Sequence, residues 1–138
     1  MILLDTNVVS EAMKPLPNSQ VLGWLNTQAA ETLFVSSITF AELWFGVAAM
    51  PQGQRKLRLE ETVDGLANMY KGRILGFDLN AAQTYAQLAF LARSKGKGFL
   101  TPDGYIAAIA ASKRMIVASR DTAPFAAVGL EVINPWQS

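Results

Sequence analysis

Five short apolar runs, none alternating apolar with polar residues, constrain this chain more than any other feature. "ILL" (2–4), "LFV" (33–35), "ILGF" (74–77), "MIVA" (115–118) and "LEVI" (130–133) are too short for helices. They also lack the every-second-residue polarity of a sheet with one wet face, so they belong in a sheet covered on both sides. Between them lie stretches with helical spacing at about 6–13, 19–29, 38–50, 53–71, 80–95 and 102–113, and a shorter one near 122–127. Strands and helices in alternation, with the strands buried, predict an α/β domain around a mainly parallel sheet. Local punctuation agrees. Thr101-Pro102 reads as an N-cap followed by proline at the first helical position, and Asp78 or Asn80 can cap the helix that starts near Ala81.

A chain of 138 residues, 51% hydrophobic, is long enough for one domain with a real core and short for two, so residues 1–138 are read as a single unit. The apolar stretches are interrupted by Glu42, Gly46 or Lys113 before reaching the roughly 20 residues of a membrane span. With no positively charged N-terminal region ahead of an apolar run, a cytoplasmic protein without a membrane partner is expected. A net charge of +1 neither demands nor excludes a nucleic-acid partner. The absence of Cys and His is more selective, because it removes thiolate nucleophiles, imidazole bases, Ser-His-Asp triads and zinc sites with N or S ligands. Chemistry here must run on carboxylates, hydroxyls, amines or backbone.

Four carboxylates stand where an α/β fold would use them. Asp5 directly follows the first strand and Asp121 follows "MIVASR", and the carboxyl ends of strands form the ligand edge of such sheets. Glu42 is expected in the first turn of the helix after "LFVSS", and Asp103 in the first turn after Thr101-Pro102. Each has a purely structural explanation. Asp103 suits a helix dipole, Glu42 completes a T-x-x-E capping box with Thr39, and Asp121 can cap the short helix after it. Asp5 resists such an explanation, since a carboxylate at the end of a buried strand needs a partner or a function to offset its desolvation. Taken together, clustered carboxylates repel unless a cation lies among them. Oxygen-only ligands suit Mg²⁺ or Mn²⁺, ions that can activate water for attack on a phosphodiester.

The segments "ILLDTNVVSE", "SSITFAELWFGV", "DGYIAAIA", "ASRDTAPF" and "VINPW" resemble, in order and spacing from Met1 to Trp136, the motif series of the PIN-domain ribonucleases. Within them the likeness is to the VapC-type toxins, most of all the FitB-like members. The resemblance implies a three-layer α/β/α fold and Mg²⁺- or Mn²⁺-dependent RNA cleavage as the toxin of a type II toxin-antitoxin system. It also implies a homodimer and a small DNA-binding antitoxin as partner, operator DNA being reached only through that antitoxin. Asp5, Glu42, Asp103 and Asp121 fall on the family's four acidic positions. Asp5 and Asp103 are then the expected direct ligands, Glu42 a ligand or water-orienting base, and Asp121, at a position often occupied by Asn, a ligand or outer group. Thr6 matches the polar residue beside the first acid, and Ser119 stands where Thr is more usual; both are expected to orient carboxylates by hydrogen bonds.

Further expectations are weaker in reach. Lys95, Lys97 and Arg120 read singly as solvated charges and together as contacts for RNA phosphates. Glu11 is expected at the surface, and Trp24 and Trp136 in packing rather than base stacking. The helix "ITFAELWFGVAAM" is apolar nearly all round, so that one face enters the core while another needs a subunit or an antitoxin to cover it, unless the helix is internal. Two rival functions share the same acids. One is a haloacid-dehalogenase-like aspartyl phosphatase with Asp5 as nucleophile and Asn7 where a second Asp would stand. The other is a catalytically silent partner within an antitoxin repressor complex.

Overall fold

The first strand in the chain is the central strand of the sheet. The computed structural model describes residues 1–99 and 101–137. In it β1 (Ile2–Leu4) lies between β2 (Leu33–Ser36) and β4 (Ile116–Ala118), with β3 (Ile74–Leu75) outside β2 and β5 (Val132–Ile133) outside β4. Every pairing among these strands is parallel, and Leu3 sits in register with Phe34 on one side and Val117 on the other. The described helices are α1 (Thr6–Ala12), α2 (Ser19–Thr27), α3 (Ser37–Ala48), α4 (Gln54–Met69), α5 (Leu79–Ser94), α6 (Thr101–Ser112) and α7 (Ala123–Ala126), with a 3₁₀ turn at Ala30–Thr32.

Why the strands lack polar alternation is visible in the packing. Successive side chains of a strand point to opposite faces. Ile2 and Leu4 therefore join Val8, Val21, Phe40, Val47 and Val63 from α1 to α4 on one side, while Leu3 and Val117 join Ala81, Ile106, Ile109, Ala110 and Phe125 from α5 to α7 on the other. Both faces are core, so both phases of each strand must be apolar. The result is the three-layer α/β/α architecture expected. Among the described residues no helix is long and apolar enough to cross a membrane.

The helix starts follow side-chain capping chemistry. Asp78 accepts from the Ala81 amide at 2.9 Å, which selects it over Asn80, an interior residue of α5. Asn18 accepts from the Gln20 and Val21 amides at the head of α2. At α6 the expectation shifts by one position, because Thr101 is already helical and Pro102 is the second residue. Proline is tolerated there because the first-turn N–H groups have no partner within the helix.

Packing of α5 on α6 fixes the second layer and, with it, the position of Asp103. Phe77, Tyr85 and Tyr105 form a cluster with ring centroids 4.8 Å (Phe77–Tyr105), 5.1 Å (Tyr85–Tyr105) and 6.1 Å (Phe77–Tyr85) apart. Beside it, the buried Gly104 is so close to its neighbours that a Cβ would lie 2.9 Å from Tyr85 Cε2 and 3.1 Å from Phe99 Cβ. These are a ring and a backbone-proximal carbon, neither of which can yield freely. Gly104→Ala is accordingly expected to lower unfolding free energy by about 1–3 kcal/mol, the usual range for overpacking. Chemical denaturation followed by circular dichroism measures this directly, and an unchanged midpoint would show that α6 moves without cost.

A candidate acidic active site at the carboxyl edge of the sheet

The chain leaves β1 toward β2 and β3, then returns to the other flank of β1 to form β4 and β5. The crevice beyond the carboxyl ends at such a reversal is where open α/β sheets bind ligands. Asp5 stands there as the N-cap of α1. Its backbone N–H continues the ladder to the Ala118 carbonyl at 2.9 Å. Its Oδ1 accepts from the Thr6 amide at 2.8 Å, and its Oδ2 accepts from Ser119 Oγ at 2.7 Å and from Asn7 Nδ2 at 3.4 Å. Burial pushes the Asp5 carboxyl above the usual aspartate range. The Ser119 and Thr6 donors pull it back, and repulsion from Glu42 and Asp121 adds to the upward push.

Asp103, in the first turn of α6, faces the same crevice electrostatically. Its carboxyl is pushed up to about 6, first by desolvation and then by the negative charges of Asp5, Asp121 and Glu42. Asp5, Asp121 and Glu42 thus lie within electrostatic reach of Asp103. Asp121 lies at the exposed rim and does not cap α7, whose N-cap is Thr122. Instead its amide donates to Ser119 Oγ at 3.0 Å.

Glu42 requires a correction. Thr39 is not the cap of its helix; Ser36 is, accepting from the Thr39 amide at 3.1 Å. Glu42 therefore lies in the second turn of α3, out of reach of a capping box, and Thr6 Oγ1 donates to its Oε1 at 2.7 Å. The sequence misleads here because "SSIT" offers three hydroxyl residues, any of which can cap, and local pattern does not choose between them. Thr6 and Ser119, the two hydroxyl residues expected beside the acids, each donate to a carboxylate, Thr6 to Glu42 and Ser119 to Asp5.

Asn7, read from the sequence only as the place of a second acid in the phosphatase alternative, has a different part in the structure. Its Nδ2 donates to Ser119 Oγ at 3.2 Å as well as to Asp5, while its Oδ1 accepts from the Arg120 amide at 3.2 Å. It thus fastens the exit of β1 to the exit of β4. Only its place directly after Asp5 and Thr6 hinted at this.

The remaining expectations divide. Glu11 is buried rather than exposed: it accepts from the Asn18 amide at 2.9 Å and from Lys14 Nζ at 3.0 Å, tying α1 to the start of α2. The Asn18 N–H and then the lysine hold its carboxyl below the usual glutamate range. Lys95 donates to the Ala127 carbonyl at 3.0 Å, and the Arg120 guanidinium lies 5.2 Å from the ring centre of Trp136. Trp24 and Trp136 pack against the first-layer core. In α3, Trp44 is held by a hydrogen bond from Nε1 to Asp64 at 2.9 Å and by the Phe40 ring, but Phe45 remains 75% exposed. The helix is therefore not internal.

A cavity of about 620 Å³ opens beside the acids between α1, α3 and α4, lined by Thr6 and Glu42 at one end and by Leu43, Arg55, Arg58 and Leu59 further along. The side chains of Asp5, Glu42, Thr6, Ser119 and Asn7 joined here by hydrogen bonds offer carboxylate and hydroxyl oxygens and an amide, a donor set that fits a hard divalent cation. Among the described residues, no three acids are drawn into a ready-made cage.

Comparison with known proteins gives a consistent picture. The family model described as "PIN domain" matches residues 2–130. The chain is 49% identical to "VapC ribonuclease Y4jK" of Sinorhizobium fredii, covering 99% of each chain. It is 44% identical to "Toxin FitB" of Neisseria gonorrhoeae, again covering 99% of each. A solved structure of FitAB bound to an IR36 DNA fragment superposes with a TM-score of 0.94 at 44% identity, over 99% of this chain and 96% of that one.

The raised carboxyl of Asp103 has a consequence for stability. Its folded value of about 6 lies above the unfolded value of 3.8, so between these the folded state binds more protons. Stability therefore falls as pH rises through this window. Without divalent metal, the melting temperature should be higher at pH 5 than at pH 7, and Asp103→Asn should reduce that difference. Thermal melts in chelator at pH 5, 6 and 7 read both effects; a wild-type profile that is flat or rises with pH would contradict the assignment.

Proposed function

Given that the chain belongs to the PIN-domain family, in its VapC/FitB toxin branch, we propose that it is a divalent-metal-dependent endoribonuclease acting as the toxin of a toxin-antitoxin pair. The observation that carries this reading is the buried Asp5 at the carboxyl end of β1, held by Ser119, with Glu42 held beside it by Thr6 and with Asp103 and Asp121 within electrostatic reach, in a chain without His or Cys. Such a cluster is costly unless a cation uses it. Mg²⁺ or Mn²⁺ bound there would neutralise the acids, lower the pKa of a water and stabilise the departing oxygen of a phosphodiester.

The roles we assign to the residues follow from their surroundings. Asp5 and Asp103, whose carboxyls are raised, would hold the ion. Glu42, with Oε1 engaged by Thr6, orients the attacking water and takes its proton on Oε2. Asp121, at the rim, completes the ligand field directly or through water. Ser119 and Asn7 keep Asp5 Oδ2 in place, and Thr6 keeps Glu42 in place. The phosphatase alternative needs a second acid two residues after Asp5, and that place is held by Asn7, whose amide donates to Asp5 and Ser119 instead. A small DNA-binding antitoxin is the partner we assign, in keeping with the FitAB complex on DNA, and the uncovered face of α3 around Phe45 is available for an antitoxin or a second subunit.

Single-stranded RNA incubated with purified protein, with its new ends mapped, tests the activity. Cleavage should require Mg²⁺ or Mn²⁺ and stop in excess chelator. Asp5→Asn should abolish it while the metal-free protein stays folded by circular dichroism, since the lost acceptor for Ser119 is offset by the removal of one repelling charge. Metal at a hundred times its Kd should stabilise the wild type by about 2.7 kcal/mol through mass action, and Asp5→Asn much less. Undiminished cleavage in chelator would remove the metal from the mechanism.

A further inference from the structure

A run of hydroxyl groups crosses from the buried end of β2 to the acidic crevice. Ser36 Oγ lies 3.4 Å from Thr39 Oγ1, Thr39 Oγ1 lies 3.0 Å from Thr6 Oγ1, and Thr6 Oγ1 lies 2.7 Å from Glu42 Oε1. The direction of these bonds is not free. A hydroxyl has one hydrogen, whereas an ionised carboxylate has none. Thr6 must spend its hydrogen on Glu42, so in the pair with Thr39 it can only accept. Thr39 therefore donates to Thr6, which leaves Thr39 able only to accept from Ser36. Ser36 Oγ in turn accepts the Thr39 amide at 3.1 Å. Every link points the same way, from the interior toward Glu42.

Resting on the metal-dependent nuclease reading, we propose that Thr39, backed by Ser36, is a positioning residue that fixes the Thr6 hydroxyl and through it the Glu42 carboxylate. Thr39 and Ser36 are both fully buried, so no solvent water is at hand to replace a missing donor. A threonine in the first turns of a helix commonly turns its hydroxyl back onto its own backbone or caps the helix. Here the cap is Ser36, and the Thr39 hydroxyl reaches instead to α1, a different element. The chain holds one oxygen of Glu42 by a donor whose own rotation is locked, and leaves Oε2 without a protein donor among the described residues. A carboxylate fixed at one oxygen and open at the other is oriented for a cation or a water.

Thr39→Val, which keeps the shape and removes the hydroxyl, tests the proposal, with Thr39→Ser as the variant that restores the donor. Mn²⁺ affinity, read by the electron paramagnetic resonance of the free ion, is measured beside the kcat and KM of RNA cleavage. Thr39→Val should lower kcat about tenfold with KM for RNA unchanged, the lower end of what losing an outer hydrogen-bonding partner costs such a site, and weaken Mn²⁺ binding by less than that, since Glu42 acts on the ion's water rather than on the ion. Thr39→Ser should return both to near the wild-type values, which a role in packing alone does not predict, since serine lacks the methyl group. Folded Thr39→Val that matches wild type in affinity and kcat overturns the role. Wild type that neither binds Mn²⁺ nor cleaves RNA overturns the nuclease reading itself, a separate outcome. If Thr39→Val does not fold, hydroxyl-proton NMR of the wild type decides: a slowly exchanging Thr39 hydroxyl proton with a nuclear Overhauser contact to Thr6 supports the proposal, and its absence overturns it.

Discussion

The hydrogen bond from Ser119 Oγ to Asp5 Oδ2 joins the carboxyl ends of two adjacent parallel strands at the point where the chain reverses its direction across the sheet. Asp5 is almost completely buried, and its carboxyl would be a large liability without donors. Hydrogen bonds to a charged group stabilise by about 1.5–3 kcal/mol each, so the Ser119 hydroxyl and the Thr6 amide together meet the scale of that cost without erasing the upward shift. Asn7 and the Asp121 amide then converge on the same serine. Once Asp5 is tolerated at this place, the positions of β4, the loop after it and the start of α1 are all constrained by one small polar cluster.

The other acids are held by different means. Asp103 depends on α6, and α6 on the close approach of Gly104 to Tyr85 and on the aromatic cluster beneath it. Glu42 depends on a strap of hydroxyls between α1 and α3. Three separate devices thus aim like charges at one crevice, each anchored in a different layer of the fold. Repulsion among the acids is therefore resisted by packing and hydrogen bonds distributed over the whole domain.

Much of this was legible in the sequence. Short unalternating runs located each strand, because a sheet covered on both sides forces both phases of a strand to be apolar, as Ile2, Leu3 and Leu4 show. The four acids were legible through their relation to strand ends and helix starts. What stayed hidden were contacts between segments remote in sequence that carry no period or spacing. The side chain of Thr39 reads as a cap from its neighbours alone, and only the packing of α3 against α1 turns its hydroxyl toward Thr6. Glu11 reads as a surface acid for the same reason, its partner being the Asn18 amide beyond a turn. Asn7 stood in plain sight but needed Ser119 and Arg120 brought beside it before its amide had anything to join.

The pairing of β1 with β4 also has a consequence in time. Residues near the beginning of the chain acquire their neighbours only from residues near its end, Ile2 meeting Ile116 and Leu4 meeting Ala118. Contacts of such wide sequence separation are entropically expensive to close and form late relative to local helices. A chain still growing on the ribosome has Asp5, Thr6, Thr39 and Glu42 early, yet it lacks the serine that holds Asp5 until synthesis has passed residue 119. The acidic crevice therefore cannot be assembled before the second half of the chain is made, and a chain cut short of residue 119 carries its early acids without the scaffold that gathers them.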